Sequence, residues 1–187
     1  MREKEPTFIA GDEIKSRKDE TLFDASHTPA IIMYNPKYPH NVGAAVRACS
    51  CFDAKVIVWT GNRVLTPSEA KETLGTKYRL PREERMKGYK HVQMVKDEYP
   101  FNRFSKYVTP VAVEVRENAE ILPHFIHPPN PVYVFGPEDG SIPQTYRNHC
   151  HRFLVIPSPY CLNLAASIYV VLYDRISKLM EGRMYGS

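Results

Sequence analysis

The sequence predicts an α/β fold built on a parallel β-sheet. Short apolar runs of the strand type alternate with longer segments whose apolar residues recur at helical spacing, and polar or proline-containing loops separate them. Strands that alternate with helices in this way pair in parallel and carry helices on both faces of the sheet. The chain has 187 residues, of which 43% are hydrophobic and 25% are charged, and this size and composition suit one globular domain.

The first strand–helix–strand unit is predicted between residues 30 and 59. An apolar run over residues 30–34 predicts a strand, and Asn35-Pro36 ends it because proline has no N–H to donate. Apolar residues at helical spacing predict a helix over residues 41–52, with Asn41 as its N-cap. The apolar run at residues 55–59 predicts the second strand.

The alternation continues after a long polar stretch, residues 61–90. The last predicted helix is apolar around most of its circumference, and the strands before it are short. Strands are predicted over residues 91–95, 108–115, 132–135 and 153–156, and helices over residues 118–125, from about Pro143, and over residues 162–180.

Charge and hydropathy exclude several classes of protein. The first 28 residues are charged and lack an apolar core, so they predict no signal peptide. We interpret residues 1–28 as a charged N-terminal extension and residues 29–187 as the folded domain. The longest apolar stretch, residues 162–173, is too short and too polar to cross a bilayer. We therefore expect a soluble cytoplasmic protein with reduced cysteines and no membrane partner.

Three loops follow strands at the edge of the predicted sheet where folds of this kind bind ligands. The first contains Asn41, Gly43 and Arg47 in the pattern N-x-G-x-x-x-R. The N–H groups at the start of a helix suit an anion, and Arg47 lies on the same helical face as Gly43. An N-capped helix with a surface arginine explains the same pattern equally well.

The second loop begins at Gly136 and continues into Pro137 and Glu138. Gly136 has no side chain and lets a ligand lie against the main chain, and Glu138 is placed to cap the turn that follows. The alternative is a tight, proline-stiffened turn whose acid serves only as a helix cap.

The third loop leaves its strand at Ile156, passes through two prolines and enters the last helix at Asn163. Asn163 is a polar residue within an apolar run, and burial of an amide costs free energy unless the amide is hydrogen-bonded. We therefore expect Asn163 to hold a loop, a neighbouring motif or a substrate.

In their order along the chain, the three loops resemble the three motifs of the TrmH/SpoU branch of the SPOUT RNA methyltransferases. The motifs are N-x-G-x-x-x-R, F-G-x-E, and I-P followed by L-N-L-x-x-A, and the resemblance spans residues 31–178. It implies a parallel-sheet SPOUT fold with a C-terminal deep trefoil knot, a homodimer, and S-adenosyl-L-methionine as cofactor. The implied reaction is methylation of a ribose 2′-hydroxyl in structured RNA, either tRNA or rRNA.

The resemblance also assigns residues to the cofactor. Enzymes of this branch hold the adenine largely through main-chain groups, and the matching positions here are Val113, Gly136, Ile156, Cys161 and Leu162. Cys161 stands where the branch usually has serine. A thiol is a weaker hydrogen-bond donor than a hydroxyl, so we expect a contact at this position to be weaker or to be replaced by a main-chain one.

Arg47 matches the arginine to which the branch assigns catalysis. The ribose hydroxyl must lose its proton, and a guanidinium is a poor base because it stays protonated. Two roles are open for Arg47: it accepts the proton with help from an RNA phosphate, or it binds that phosphate and orients the hydroxyl. Asn41, Glu138 and Asn163 match the polar residues that position the arginine loop and the substrate.

By the same resemblance, residues 1–28 and 61–90 face the RNA. Their lysines and arginines are expected to contact phosphates, and Tyr78 and Tyr89 to stack on unpaired bases. A solvated loop of mixed charge accounts for residues 61–90 equally well, because glutamates dilute the positive charge.

Other interpretations lead to different functions. The segment His149-Cys150-His151 contains residue types that bind metals, but adjacent residues point in different directions and no second ligand pair accompanies them, so we expect no metal. A cysteine hydrolase needs a Cys–His pairing that no sequence pattern here indicates. The main alternative is an RNA-binding or ribosome-associated protein that has the SPOUT fold but little or no catalytic activity.

Overall fold

The computed structural model describes residues 22–66 and 91–182, together with Glu69 and Glu72. The strands in this part of the chain are β1 Ala30–Met33, β2 Val56–Trp59, β3 Gln93–Lys96, β4 Thr109–Val113, β5 Glu120–Ile121, β6 Pro131–Phe135 and β7 Arg152–Val155. Its α-helices are α1 Pro39–Cys51, α2 Gln144–Arg147 and α3 Leu164–Met180. The strands form one sheet in the order β3-β2-β1-β6-β4-β7-β5, with every neighbouring pair parallel, which confirms the predicted α/β class.

The strand order brings the candidate loops to one edge of the sheet. β1 lies at the centre, where Ile31 pairs with Ile57 of β2 and with Tyr133 of β6. On the other side of β6, Tyr133 pairs with Val111 of β4, which in turn pairs with Arg152 of β7. Because all these strands run in the same direction, the loops that follow β1, β4, β6 and β7 meet at their shared carboxyl edge.

The two long helices cover one face of the sheet. α1 and α3 pack against each other and against the side chains that β1, β2 and β6 direct to this face. Trp59, Tyr133 and Phe135 are at most 2% exposed there. Burial of such large aromatic side chains stabilises the fold by about 2 kcal/mol each.

Short segments cover the opposite face of the sheet in the described part of the chain. Phe23, the 3₁₀ turn Pro100–Arg103 and α2 pack against Ile32 and Val58. Phe23 is 3% exposed, and its main-chain groups pair with residues 103 and 105. The predicted helices on both faces are therefore long on one face and short on the other.

The predicted helix over residues 118–125 is wrong. The chain there forms the short strand β5, in which Glu120 pairs with Leu154 of β7, followed by the 3₁₀ turn Leu122–His124. Pro123 lies inside the segment, and a proline within an α-helix removes a hydrogen bond and clashes with the preceding turn. The other predicted elements match the structure to within two residues at each end.

The predicted N-cap of α1 is also wrong. The helix begins at Pro39, with Tyr38 as its N-cap, so Asn41 lies inside the first turn. Proline is favoured at the first helical position because its missing N–H would have no helical partner there. The earlier start leaves the Asn41 side chain available for contacts outside its own helix.

Several predictions fall outside the described residues. They concern residues 1–21 of the proposed extension and most of the polar stretch at residues 61–90, including Tyr78 and Tyr89. The boundary between an extension and a domain at residue 29 stays a prediction. None of the helices in the described chain has the length and apolar character that a membrane crossing requires.

A buried polar cluster fixes the C-terminal half of α3 to the sheet. The Nδ1 and Nε2 atoms of His127 lie 2.5 Å from the Tyr133 hydroxyl and 2.8 Å from the Asp174 carboxylate, respectively. Lys178 pairs with Asp174 at 2.7 Å and donates to the main-chain carbonyls of Leu122 and Phe125. Burial lowers the pKa of His127 to about 4, and the cations Lys178 and Arg175 add to this effect while Asp174 opposes it.

We expect this histidine to make the protein less stable in mild acid. An unfolded chain protonates a histidine near pH 6.5, whereas folded His127 stays neutral down to about pH 4. Between these values the unfolded state binds more protons, so the free energy of unfolding should fall by about 2 kcal/mol from pH 7 to pH 5. Urea unfolding of the protein and of His127→Gln at both pH values measures the difference. Replacement of the exposed His151 by glutamine serves as the control, and an equal pH dependence in His127→Gln would contradict the assignment.

Candidate active site

A cavity of about 350 Å³ opens at the carboxyl edge of the sheet. The loops after β4, β6 and β7 form its walls, and the start of α3 closes one end. All five positions that the resemblance assigns to a cofactor line it: Val113, Gly136, Ile156, Cys161 and Leu162. The parallel sheet thus brings together residues that lie far apart in the sequence.

Gly136 forms a close contact within the wall of the cavity. A Cβ atom at this position would lie 3.2 Å from the main-chain nitrogen of Ile142 and 3.3 Å from its Cγ1 atom. These distances are tighter than ordinary contacts, so a side chain here would require Ile142 to shift by a few tenths of an ångström. The glycine lets the chain after β6 fold directly against Ile142, which is 1% exposed.

Three of the predicted polar residues form one hydrogen-bonded chain beside the cavity. Asn163 donates from Nδ2 to Oδ1 of Asn41 at 3.0 Å, and Asn41 donates from Nδ2 to Oε1 of Glu138. The other carboxylate oxygen of Glu138 accepts from the main-chain N–H of Lys37 at 2.7 Å. These bonds join α1, the loop after β6 and the start of α3, which are the three motifs identified in the sequence.

Asn163 sets the direction of this chain of hydrogen bonds. It is the N-cap of α3, and its Oδ1 accepts from the N–H groups of Ala165 at 2.9 Å and Ala166 at 3.3 Å. Its amide nitrogen must therefore face Asn41, whose oxygen accepts and whose nitrogen donates to Glu138. A carboxylate that accepts every bond it makes fits the end of this series.

The sequence predicted that Glu138 caps the following turn, and this prediction is wrong. Its two oxygens bond to Asn41 and Lys37, and the side chain also lines the cavity. Within the described residues, no lysine, arginine or histidine side chain pairs with it. Glu138 therefore places a negative charge with only neutral partners at the cavity wall.

Arg47 lies apart from the cavity. It is on the exposed side of α1 and does not line the cavity. In the described part of the chain, its guanidinium has no hydrogen bond or ion pair. The structure thus brings together Asn41, Glu138 and Asn163, and it leaves Arg47 accessible from solvent on the same helix as Asn41.

Arg63, one of the basic residues of the stretch 61–90, joins segments at the rim of the site. Its Nη1 contacts both oxygens of Asp139 at 2.9 and 3.0 Å, and it also donates to the main-chain carbonyl of Asn35. The guanidinium, with a smaller effect from Lys37, lowers the pKa of Asp139. Gly61 is required at the same turn, because it has φ +77° and a Cβ there would run into the Asn35 side chain.

Sequence reasoning missed Glu114, which also lines the cavity. It follows β4 directly, its side chain is 10% exposed, and it pairs with Arg147 of α2 at 3.4 Å. The available signal was an acidic residue immediately after a buried strand, at the edge where ligands bind.

The cysteines divide into two exposed and two buried thiols. Cys51 and Cys161 are exposed, whereas Cys49 and Cys150 are buried. Burial raises the pKa of the Cys150 thiol to about 12 and that of Cys49 still further. The described residues contain no group of three or more side chains able to hold a metal ion, and His149 instead stacks on Phe101 with ring centres 4.3 Å apart.

Comparison with protein-family models matches residues 28–173 to the SpoU rRNA Methylase family. The matched range contains the cavity, the hydrogen-bonded chain of Asn41, Glu138 and Asn163, and most of α3. Comparison with the sequences of curated proteins gives no match.

Solved structures share the fold at low sequence identity. One, which concerns 2-OH methylation of C/U34 on tRNA, has a TM-score of 0.64 and 20% identity and covers 81% of this chain and 96% of that one. The SpoU methyltransferase AviRb from Streptomyces viridochromogenes, in complex with AdoMet, has a TM-score of 0.65 and 16% identity, with 84% and 60% covered. An RNA 2′-O ribose methyltransferase has a TM-score of 0.64 and 15% identity, with 88% and 62% covered. This chain therefore spans about three fifths of the length of the latter two proteins.

Proposed function

The chain belongs to the SpoU rRNA Methylase family, and from this premise we propose that it transfers a methyl group from S-adenosylmethionine to a ribose 2′-hydroxyl of a structured RNA. The observation that carries the proposal is the meeting of the second and third motif loops at one cavity, with the first motif joined to both by the hydrogen bonds of Asn41. The structural neighbours support the chemistry, since one concerns 2-OH methylation on tRNA and another was solved with AdoMet bound.

The cavity fits S-adenosylmethionine in size and in charge. Its volume of about 350 Å³ lies in the range of small-molecule sites. Apolar residues such as Val113, Ile156 and Leu162 suit a purine ring, and the close main chain at Gly136 offers hydrogen-bonding groups without a side chain in the way. The carboxylate of Glu138, which lines the cavity, suits a ligand that carries a sulfonium and an ammonium charge.

The residues in and around the cavity have different roles in the proposed reaction. When bound, the cofactor supplies an electrophilic methyl group on sulfur. Asn41, Glu138 and Asn163 hold the loops of the site in one geometry, which lowers the entropic cost of bringing the hydroxyl into line. Arg47, accessible from solvent, binds an RNA phosphate and orients the hydroxyl, or it accepts the proton with help from that phosphate.

The protein acts as a homodimer in this proposal. Several large apolar side chains of α3 remain outside the core, and Val170, Tyr173 and Leu179 are 36%, 61% and 43% exposed. They lie on the long helix that packs beside α1, so a second copy would cover this apolar surface. Sedimentation velocity should give twice the mass of the chain, and a monomer at micromolar concentration would contradict the proposal.

The C-terminal trefoil knot is part of the same proposal. β7 pairs between β4 and β5, inside the loop that the chain makes from β4 out to β5 and back to β6. Such a position is required if the final segment passes through that loop before α3 reaches α1. The loops around the cavity would then be held by the threading as well as by their hydrogen bonds.

Cofactor binding and methyl transfer test the function directly. We expect calorimetry to give a heat of binding for S-adenosylmethionine, and labelled methyl groups to enter cytoplasmic tRNA or rRNA. Nucleoside analysis should locate the label on the ribose. No heat of binding would favour the alternative of an RNA-binding protein without catalysis, and label on a base would contradict the 2′-O assignment.

The rate at which Cys161 is labelled tests whether the cavity is the cofactor site. It is exposed and lines the cavity, and Cys51 is the other exposed thiol of the chain. In a Cys51→Ser variant, iodoacetamide should therefore label Cys161 alone in the folded protein, because the two buried thiols stay protonated. S-adenosylmethionine at a hundred times its Kd should slow the labelling by at least roughly tenfold. Labelling at an unchanged rate would show that the cofactor binds elsewhere.

A further inference from the structure

The side chain of Glu114 lies where it can hold the wall of the cavity in place. It is the first residue after β4, and its main-chain N–H still bonds to Leu154 of β7 at 2.9 Å. The side chain lines the cavity and is only 10% exposed. A carboxylate this close to the interior needs partners, because an unpaired buried charge is strongly unfavourable.

The partners of Glu114 come from two other segments. Its Oε1 atom accepts a hydrogen bond from the main-chain N–H of Ile142 at 3.0 Å, and its Oε2 atom faces Nη1 of Arg147 at 3.4 Å. One carboxylate therefore connects the end of β4 to the loop after β6 and to α2.

The bond to Ile142 lies at the tightest point of that loop. The same nitrogen is the atom nearest to a Cβ built on Gly136, and the Ile142 side chain is 1% exposed. Without Glu114 the Ile142 N–H loses its partner in a place that water does not reach freely, which is costly for a main-chain group. The loop would have to move to satisfy it, and the cavity wall would move with it.

We propose that Glu114, supported by Arg147, is a positioning residue that sets the affinity of the cavity for its cofactor. The inference rests on the proposed function, because it takes S-adenosylmethionine as the ligand. Glu114 shares no hydrogen bond with Asn41, Glu138 or Asn163. It therefore acts on cofactor binding through the cavity wall and not through the hydrogen bonds that join the three motifs.

A positioning role makes a specific prediction about two ligands. S-adenosylmethionine carries a positive sulfonium, whereas the product S-adenosylhomocysteine has a neutral sulfur. A displaced cavity wall lowers the affinity for both ligands by the same factor. A carboxylate that instead recognises the sulfonium charge would change the ratio of the two affinities, since a charge interaction is lost with only one of them.

Calorimetry with both ligands on the full-length protein tests the inference. We expect Glu114→Ala to raise both Kd values by roughly tenfold. Glu114→Gln should raise them by only about threefold, because its carbonyl oxygen can still accept from the Ile142 N–H. Glu120→Gln is the matched control: Glu120 pairs with Arg152 at 2.6 Å outside the cavity, and its loss should leave both Kd values unchanged.

Amide hydrogen exchange gives a readout that needs no ligand. Exchange at Ile142 should accelerate in Glu114→Ala and stay close to the original rate in Glu120→Gln. Unchanged exchange at Ile142, unchanged affinities, or a changed ratio of the two Kd values would each overturn the positioning role while the proposed function stands. Failure of the unsubstituted protein to bind S-adenosylmethionine would overturn the proposed function and this inference with it.

Discussion

Replacement of Arg47 by alanine is expected to abolish methyl transfer and to leave cofactor binding intact. Arg47 is exposed, does not line the cavity and has no hydrogen bond or ion pair with the rest of the described chain. Its loss should therefore change the free energy of unfolding by no more than about 0.5 kcal/mol. A charged group that orients the reacting hydroxyl contributes at least about a hundredfold to the rate, so the drop in labelled-methyl transfer should reach that size.

Arg47→Lys separates charge from shape at the same position. Lysine keeps the positive charge but lacks the planar fork that contacts two phosphate oxygens, so we expect activity between that of the original protein and that of Arg47→Ala. Loss of cofactor affinity in Arg47→Ala, measured by calorimetry, would show that Arg47 supports the fold of the site. Full activity in that variant would remove Arg47 from the mechanism.

The sheet and the loops of the site were predictable because both depend on local patterns. The apolar runs are short and well separated, and in a parallel sheet all their following loops must share one edge. Motifs separated by about a hundred residues in the sequence therefore meet, as Asn41 and Glu138 do. The family resemblance added the ligand, which no pattern of spacing alone identifies.

The errors arose where a distant partner decides the local structure. Residues 118–125 have a helical pattern, yet β5 gains its hydrogen bonds from β7, which lies some thirty residues later in the chain. Glu114 resembles any surface acid in the sequence, and only the fold reveals Ile142 and Arg147 as its partners. The role of Glu138 was misjudged for the same reason, because its partners Asn41 and Lys37 belong to the first motif.

Asn41→Ala is expected to damage both stability and activity, because Asn41 is the central link between the three motifs. The side chain is 1% exposed, donates to Glu138 and accepts from Asn163. Its removal takes the hydrogen-bond donor from a carboxylate oxygen of Glu138 and the acceptor from the amide of Asn163, and it leaves a gap where the buried side chain was. We expect a loss of about 3 kcal/mol in the free energy of unfolding, measured with urea, and a loss of methyl transfer of at least about a hundredfold.

Two further variants decide whether the hydrogen bonds, and not simple loss of volume, cause the effect. Asn148 is exposed and accepts one hydrogen bond from Gln144, so Asn148→Ala should be nearly neutral. Asn41→Asp keeps the size of the side chain but sets a second carboxylate against Glu138, so its loss of stability should be larger at pH 7 than at pH 5, where the two acids can share a proton. If Asn41→Asp were as stable as the original protein at both pH values, the bond between Asn41 and Glu138 would not be what holds the first two motifs together, and the frame of the active site would have to come from packing alone.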